Sequence, residues 1–291
     1  MSLQNQAQAE IEAEVQQAGT ASQPLQQAQS TLPPKAGIDV KHVLLVLSGK
    51  GGVGKSTVAV NLATALASHG LNVGLLDLDF HGPSIPKMLG LEGHVPTASA
   101  AGIEPVRVTG TLAAMSIGFL LPSSDAPVIW RGPVKMGVIR QFLAEVNWGP
   151  LDYLVVDLPP GTGDEALTIA QLAPNLRGAV IVTTPQDVAV LDAVKAVKFI
   201  QQLGIPVLGI IENMSGLVCP HCGETVDMFG RGGGRKAAQN HGVPYLGAIP
   251  LDPEMMRSGD EGRPYILQNA DSPTWKAVDD VMENLVAEVE T

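Results

Sequence analysis

Gly49-Lys50-Gly51-Gly52-Val53-Gly54-Lys55-Ser56-Thr57 decides the reading of this chain. It fits G-x-x-x-x-G-K-[ST], the phosphate-cradling loop called Walker A. Ahead of it, His42-Val43-Leu44-Leu45-Val46-Leu47-Ser48 is a short apolar run rich in branched side chains, as suits a strand buried on both faces. Behind it, Val58, Leu62, Ala65 and Leu66 recur at helical spacing as far as His69, and Gly70 stands where a helix C-cap belongs. Strand, loop and helix in that order are the context the motif needs; a chance Gly-rich turn would lack it. The glycines let backbone N–H groups turn inward around a phosphate, and the helix N-terminus adds its dipole. In that frame Lys55 reaches the β- and γ-phosphates, and the Ser56 hydroxyl binds Mg²⁺. A nucleoside triphosphate is the expected ligand.

A second motif supports the first. Asp152-Tyr153-Leu154-Val155-Val156-Asp157 is four apolar residues ending in an acid, the Walker B pattern in which Asp157 holds Mg²⁺, usually through water. The Gly/Pro-punctuated run Leu158-Pro159-Pro160-Gly161-Thr162-Gly163-Asp164 follows, where a γ-phosphate sensor would lie. Val73 to Asp79 reads as another strand ending in acids, Asp77 and Asp79. Asp79 is the candidate to orient or deprotonate an attacking water; a solvated strand end is the plainer alternative. Phe80-His81-Gly82-Pro83-Ser84 has the look of a switch loop, with His81 reading first as a surface histidine.

Further along, strand-like and helix-like stretches alternate. Helices are expected over Pro133 to Val146, from about Asp164, over Asp187 to Leu203, over Arg235 to His241 and from the N-cap pair Ser272-Pro273. Strands are expected over Ala179 to Thr183, Val207 to Asn213 and Tyr245 to Ile249. The alternation predicts an α/β fold, a three-layer P-loop NTPase with a mostly parallel sheet and helices on both faces. Ligands then bind at the carboxyl ends of the strands. Residues 1–38, rich in Gln, Ala, Glu and Ser and ending in a Pro-containing stretch, read as a disordered or weakly helical tail. Residues 39–291 read as one ATPase domain with an insertion near 214–234.

Composition narrows the function classes. The net charge of −11 argues against nucleic acid as a partner, since phosphate-backbone binding draws on clustered Lys and Arg. No run approaches the roughly 18 apolar residues of a membrane span, and a secretory leader is not expected, so the expected location is cytoplasmic. The final helix puts Trp275, Val278, Val281, Met282, Leu285 and Val286 on one side. Asp279, Asp280, Glu283 and Glu288 lie on the other with Lys276 as the sole base. An anionic lipid surface would repel that face, so the helix is expected to pack on the core. With 4% aromatic residues, that core must be aliphatic.

The extra lysine in KGGVGKST, Lys50, carries a resemblance. The run resembles the deviant Walker A ATPases, which include MinD, ParA, the nitrogenase iron protein and the arsenite-pump ATPase. DLDFHGPSIPKMLG, DYLVVDLPPGTGDEALT, VTTPQDVAVLDAVKAV, GIIENMSGLVCPHCG and GAIPLDP are similar to the Mrp/ApbC group of iron–sulfur cluster carrier ATPases, over about residues 40 to 290. The resemblance implies a face-to-face homodimer in which Lys50 reaches the partner's nucleotide. It implies that Gly49, Lys50, Gly51, Gly52, Val53, Gly54, Lys55, Ser56 and Thr57 bind ATP, with Thr57 on the α-phosphate side. It also implies that Lys50, Lys55, Asp79 and Asp157 serve hydrolysis, that Ser56 and Asp157 hold Mg²⁺, and that Asn213 reads the adenine edge. Recipient apoproteins and cluster assembly proteins are the implied partners.

Both cysteines of the chain lie in Cys219-Pro220-His221-Cys222. The spacing suits a redox pair, half of a zinc site or half of an iron–sulfur site. Two thiolates close neither a Cys₄ zinc site nor a [4Fe–4S] cluster, whereas a two-fold dimer supplies four. A cluster bridging the dimer through Cys219 and Cys222 is therefore preferred. Zinc at the same place, in a MinD/ParA-like switch, comes second, and a redox pair last. The glycine-rich fragment from Glu224 to Gly234 suggests a mobile loop around this site, or else a plain connection.

Overall fold

The computed structural model describes residues 35–100, 102–121, 132–218, 222, 224–267 and 269–291. Most of the expected N-terminal tail, residues 1–34, lies outside them. A compact body runs from Lys35 to Thr291. It takes in residues 35–38, which the sequence assigned to the tail. There the Ala36 N–H donates to the Leu172 carbonyl at 2.9 Å, and Ile38 packs against the core.

In chain order the strands are β1 (Val40–Ser48), β2 (Val73–Asp77), β3 (Ala98–Ser99), β4 (Gly102–Ile103), β5 (Val106–Arg107) and β6 (Leu112–Ser116). They continue with β7 (Leu151–Asp157), β8 (Leu176–Thr183), β9 (Val207–Glu212), β10 (Leu217–Val218), β11 (Thr225–Val226) and β12 (Tyr245–Ala248). The helices are α1 (Lys55–Ser68), α2 (Ile85–Met88), α3 (Gly132–Ala144) and α4 (Asp164–Leu172), then α5 (Asp187–Gln202), α6 (Gly233–His241), α7 (Pro253–Asp260) and α8 (Pro273–Glu290).

Eight strands form one sheet in the order β12-β9-β8-β1-β7-β2-β6-β5. Every neighbouring pair is parallel except β5 and β6. β1 is buried from Val43 through Ser48, as its unbroken apolar run requires. From β1 the chain crosses to β2 in one direction along the sheet. From β7 to β8, β8 to β9 and β9 to β12 it crosses in the other. Right-handed crossovers then put α1 on one face and α4, α5 and α6 on the opposite face. α8 packs beside α1 and against β9 and β12, burying Val278, Val281, Met282, Leu285 and Val289. Its N-cap is Ser272, whose hydroxyl accepts from the Trp275 N–H.

Reversal of direction at β1 opens a crevice at the carboxyl ends of the strands. Ser48, Asp77, Asp157, Thr183 and Glu212 are the last residues of five such strands, and all are buried. The register pairs Asp77 directly with Asp157.

Candidate nucleotide and metal site

The phosphate loop joins β1 to α1. Gly52 and Gly54 take φ values of 81° and 80°, a left-handed geometry that favours glycine. Gly49 is required for another reason: a Cβ there would lie 2.1 Å from the Asp192 carbonyl carbon in α5. Gly54 caps α1 without a side-chain bond, which leaves first-turn N–H groups for an anion. A cavity of ≈ 210 Å³ opens above the loop, lined by Gly51, Gly52, Lys55, Ser56, Thr57 and Asp79 among others.

Lys55 is buried, and its Nζ donates to Asp157 Oδ1 at 2.7 Å and to Ser56 Oγ at 3.2 Å. Asp79 Oδ2 stands 3.5 Å from the same ammonium. Ser56 Oγ donates to Asp157 Oδ2 at 2.6 Å. A hydroxyl and a carboxylate oxygen thus converge beside the cavity, a hard-oxygen pair of the kind that Mg²⁺ takes. The donor set fits that ion, and Ser56 and Asp157 are the residues that would hold it.

Asp79 lies just past β2, which ends at Asp77 and not, as the sequence suggested, at Asp79. Its Oδ1 accepts from the His81 and Gly82 N–H groups at 3.2 and 3.3 Å, so the turn that follows aims the carboxylate. Asp77 is enclosed behind it. Its Oδ1 accepts from the Asp79 N–H at 3.0 Å and its Oδ2 from Ser116 Oγ at 2.8 Å. Burial, and then the neighbouring charge of Asp157, push the Asp77 carboxyl up to about 7. Burial also raises Asp157, against the opposing pull of Lys55.

Asn213, one residue beyond β9, is buried and donates its Nδ2 to the Val53 carbonyl at 2.9 Å. It therefore braces the phosphate loop. Lys50 makes no side-chain bond among the described residues; its carbonyl accepts from Ser48 Oγ. His81 is exposed, as expected. Cys222 is exposed, in the connection between the antiparallel strands β10 and β11, and Cys219 lies outside the described residues. Only the last two glycines of that fragment are helical. Gly233 and Gly234 begin α6, and a Cβ on Gly233 would lie 2.3 Å from the Pro185 carbonyl oxygen. These glycines permit close approach of two backbones.

The family model described as NUBPL iron-transfer P-loop NTPase, in the ParA group, matches residues 39–286. The chain belongs to that family. An iron–sulfur cluster carrier protein of Methanocaldococcus jannaschii is 58% identical over 228 residues, 78% of this chain and 79% of that one. The human cytosolic Fe-S cluster assembly factor NUBP2 is 49% identical over 251 residues, 85% and 93% of the two chains. Among solved structures, a nucleotide-binding protein of Archaeoglobus fulgidus in complex with ADP has a TM-score of 0.69 at 41% identity, covering 82% of this chain and 91% of that one. The cell-division ATPase MinD of Pyrococcus furiosus, at 21% identity and a TM-score of 0.63, shares the fold.

Within this iron-transfer NTPase chain, sequence reasoning missed several residues around the loop. Ser116 holds Asp77 from β6, a strand that was not anticipated. Lys135 of α3 donates to the buried Glu165 of α4 at 3.0 Å, with Phe80 5.1 Å from its ammonium, so it touches elements beside both candidate switch loops. Asp252 caps α7 and is followed by Pro253, a helix-start signal that was present in the sequence.

Proposed function

We propose that the protein is an ATP-hydrolysing carrier that holds an iron–sulfur cluster across a homodimer and passes it to apoproteins. The observation that carries this reading is a complete phosphate loop on the same chain as a single Cys pair. Lys50 has no side-chain partner among the described residues, and Cys219 with Cys222 supply only half of a four-thiolate set. The names of the M. jannaschii and human relatives point the same way.

In this reading Lys55 and the loop amides bind the β- and γ-phosphates, and Thr57 lies toward the α-phosphate. Mg²⁺, held by Ser56 and Asp157, supplies charge neutralisation at the phosphates. Asp79, aimed by its turn, orients or deprotonates the attacking water. Lys50 crosses to the partner's nucleotide. Hydrolysis is slow in the chain alone, because part of the charge stabilisation arrives in trans. Asn213 reads the adenine edge from its place beside the loop. The cluster, as cargo, is [4Fe–4S].

Anaerobic reconstitution with iron and sulfide tests the carrier half. Wild type should take up iron and sulfide, while Cys219→Ser and Cys222→Ser should not; equal iron in wild type and variants refutes it. A zinc content near one per dimer in protein purified without air favours the MinD/ParA-like switch with a structural zinc. For the ATPase half, Lys50→Ala should keep much of its nucleotide binding and lose hydrolysis, and undiminished turnover contradicts a shared site.

A further inference from the structure

Glu212 ends β9 with its side chain enclosed, 1% exposed. Its Oε1 accepts from Ser215 Oγ at 2.6 Å and from the Gly232 N–H at 2.9 Å. Its Oε2 accepts from the Gly234 N–H at 2.7 Å. Gly232 caps α6, which has no side-chain cap of its own, so this carboxylate does the capping from 20 residues away. An anion is favoured there by the helix dipole and by the free first-turn amides. Ser215 and Gly232 are the two ends of the segment that contains β10, β11 and Cys222. One buried carboxylate thus closes the base of the candidate cluster-binding segment.

The adjacent residue faces the other way. Asn213 bonds to the Val53 carbonyl of the phosphate loop, and its backbone N–H donates to the Thr183 carbonyl at 2.7 Å. Met214 follows at φ 57°, an uncommon conformation for a side chain of its size. Beyond it the Ser215 N–H donates to the Ile249 carbonyl at 3.0 Å, and Leu251 N–H to the Gly216 carbonyl at 2.8 Å. Residues 212–216 therefore form a hydrogen-bonded corner, with the phosphate loop on one side and the base of the Cys segment on the other.

We propose that Glu212 is a positioning residue that fixes both ends of the Cys-bearing segment to this corner, so that a rearrangement of the phosphate loop reaches the segment through Asn213 and Glu212. The proposal rests on the reading of that segment as the cluster site. It does not require a cluster to be present for its test. A role confined to capping α6 would stabilise the fold but transmit nothing.

Hydrogen exchange on the full chain without cluster separates the two. It is read with and without Mg²⁺ and a non-hydrolysable ATP analogue. In wild type the analogue should change exchange of amides 217–226 by about tenfold or more. In Glu212→Gln, where the Gly234 N–H loses its acceptor, that response should fall below about twofold while analogue affinity stays within about threefold. A tenfold response retained in Glu212→Gln overturns the proposal, as does a wild type that shows no response in 217–226. Should Glu212→Gln lack native circular dichroism, Ser215→Ala decides. It leaves both α6 amides bonded, and a response of wild-type size there overturns the proposal. Reconstitution of the same wild-type preparation judges the carrier reading apart: failure to bind iron with the exchange response intact sinks the carrier reading and leaves Glu212 as the transmitting residue.

Discussion

Replacing Asp77 by Asn should reverse its effect on stability between pH 4 and pH 8.5. The Asp77 carboxyl is fully enclosed and sits beside Asp157 in register, and its pKa rises from 3.8 to about 7. Each tenfold in proton affinity is worth about 1.4 kcal/mol, so the folded state binds this proton about 4 kcal/mol more tightly than the unfolded chain. The sign follows from the raised value. Between about pH 4 and pH 7 the folded protein holds a proton that the unfolded chain has released, and stability falls as pH rises. Above pH 7 the whole advantage is lost. Asn, which does not titrate, keeps an acceptor for the Asp79 N–H but cannot accept from Ser116, at a cost of about 1 kcal/mol. Asp77→Asn should therefore be slightly less stable than wild type at pH 4 and more stable by about 3 kcal/mol at pH 8.5. Urea unfolding of both proteins at matched ionic strength across that range measures the difference and cancels other titrations. A difference that stays constant with pH would refute the assignment of a neutral-range proton to Asp77.

Other substitutions report on the same loop. Gly49→Ala drives a methyl into the backbone of α5 at Asp192 and should cost about 2 kcal/mol or more, together with nucleotide affinity, by urea unfolding and calorimetry. Lys55→Ala strands the buried Asp157 carboxylate. It should destabilise the protein by about 3 kcal/mol at neutral pH and abolish nucleotide binding, the stability loss shrinking in acid as Asp157 takes a proton.

The phosphate loop, the Walker B strand and their flanking helices were legible because each is encoded within about ten consecutive residues. β6 was not. Leu112-Ala113-Ala114-Met115-Ser116 has two alanines and little branching, and its strand character comes from pairing with β2, some forty residues earlier. Asp79 was marked from its place at a strand end, but the Asx-type turn that aims it lies outside strand periodicity. Glu212 drew no notice inside the strand expected over Val207 to Asn213. Its partners Gly232 and Gly234 are joined to it only by the folded chain, and the glycines looked like slack for the same reason. Local patterns located the chemistry, whereas the contacts that hold it rigid are long-range and have no signature in a window of sequence.

The pairing of Asp77 with Asp157 bears on which form of nucleotide the loop admits. Asp79 and Lys55 line the cavity and Asp77 and Asp157 are enclosed behind them, three acids against one base. While Asp77 keeps its proton, Asp79 and Asp157 still outnumber Lys55 by one charge. A bare polyphosphate approaching this centre meets its own sign of charge, and the repulsion grows by a further charge once the pH passes about 7. The expected outcome is a charge filter: nucleotide without a divalent cation should bind more weakly than its complex with one, and the gap should widen in alkaline solution.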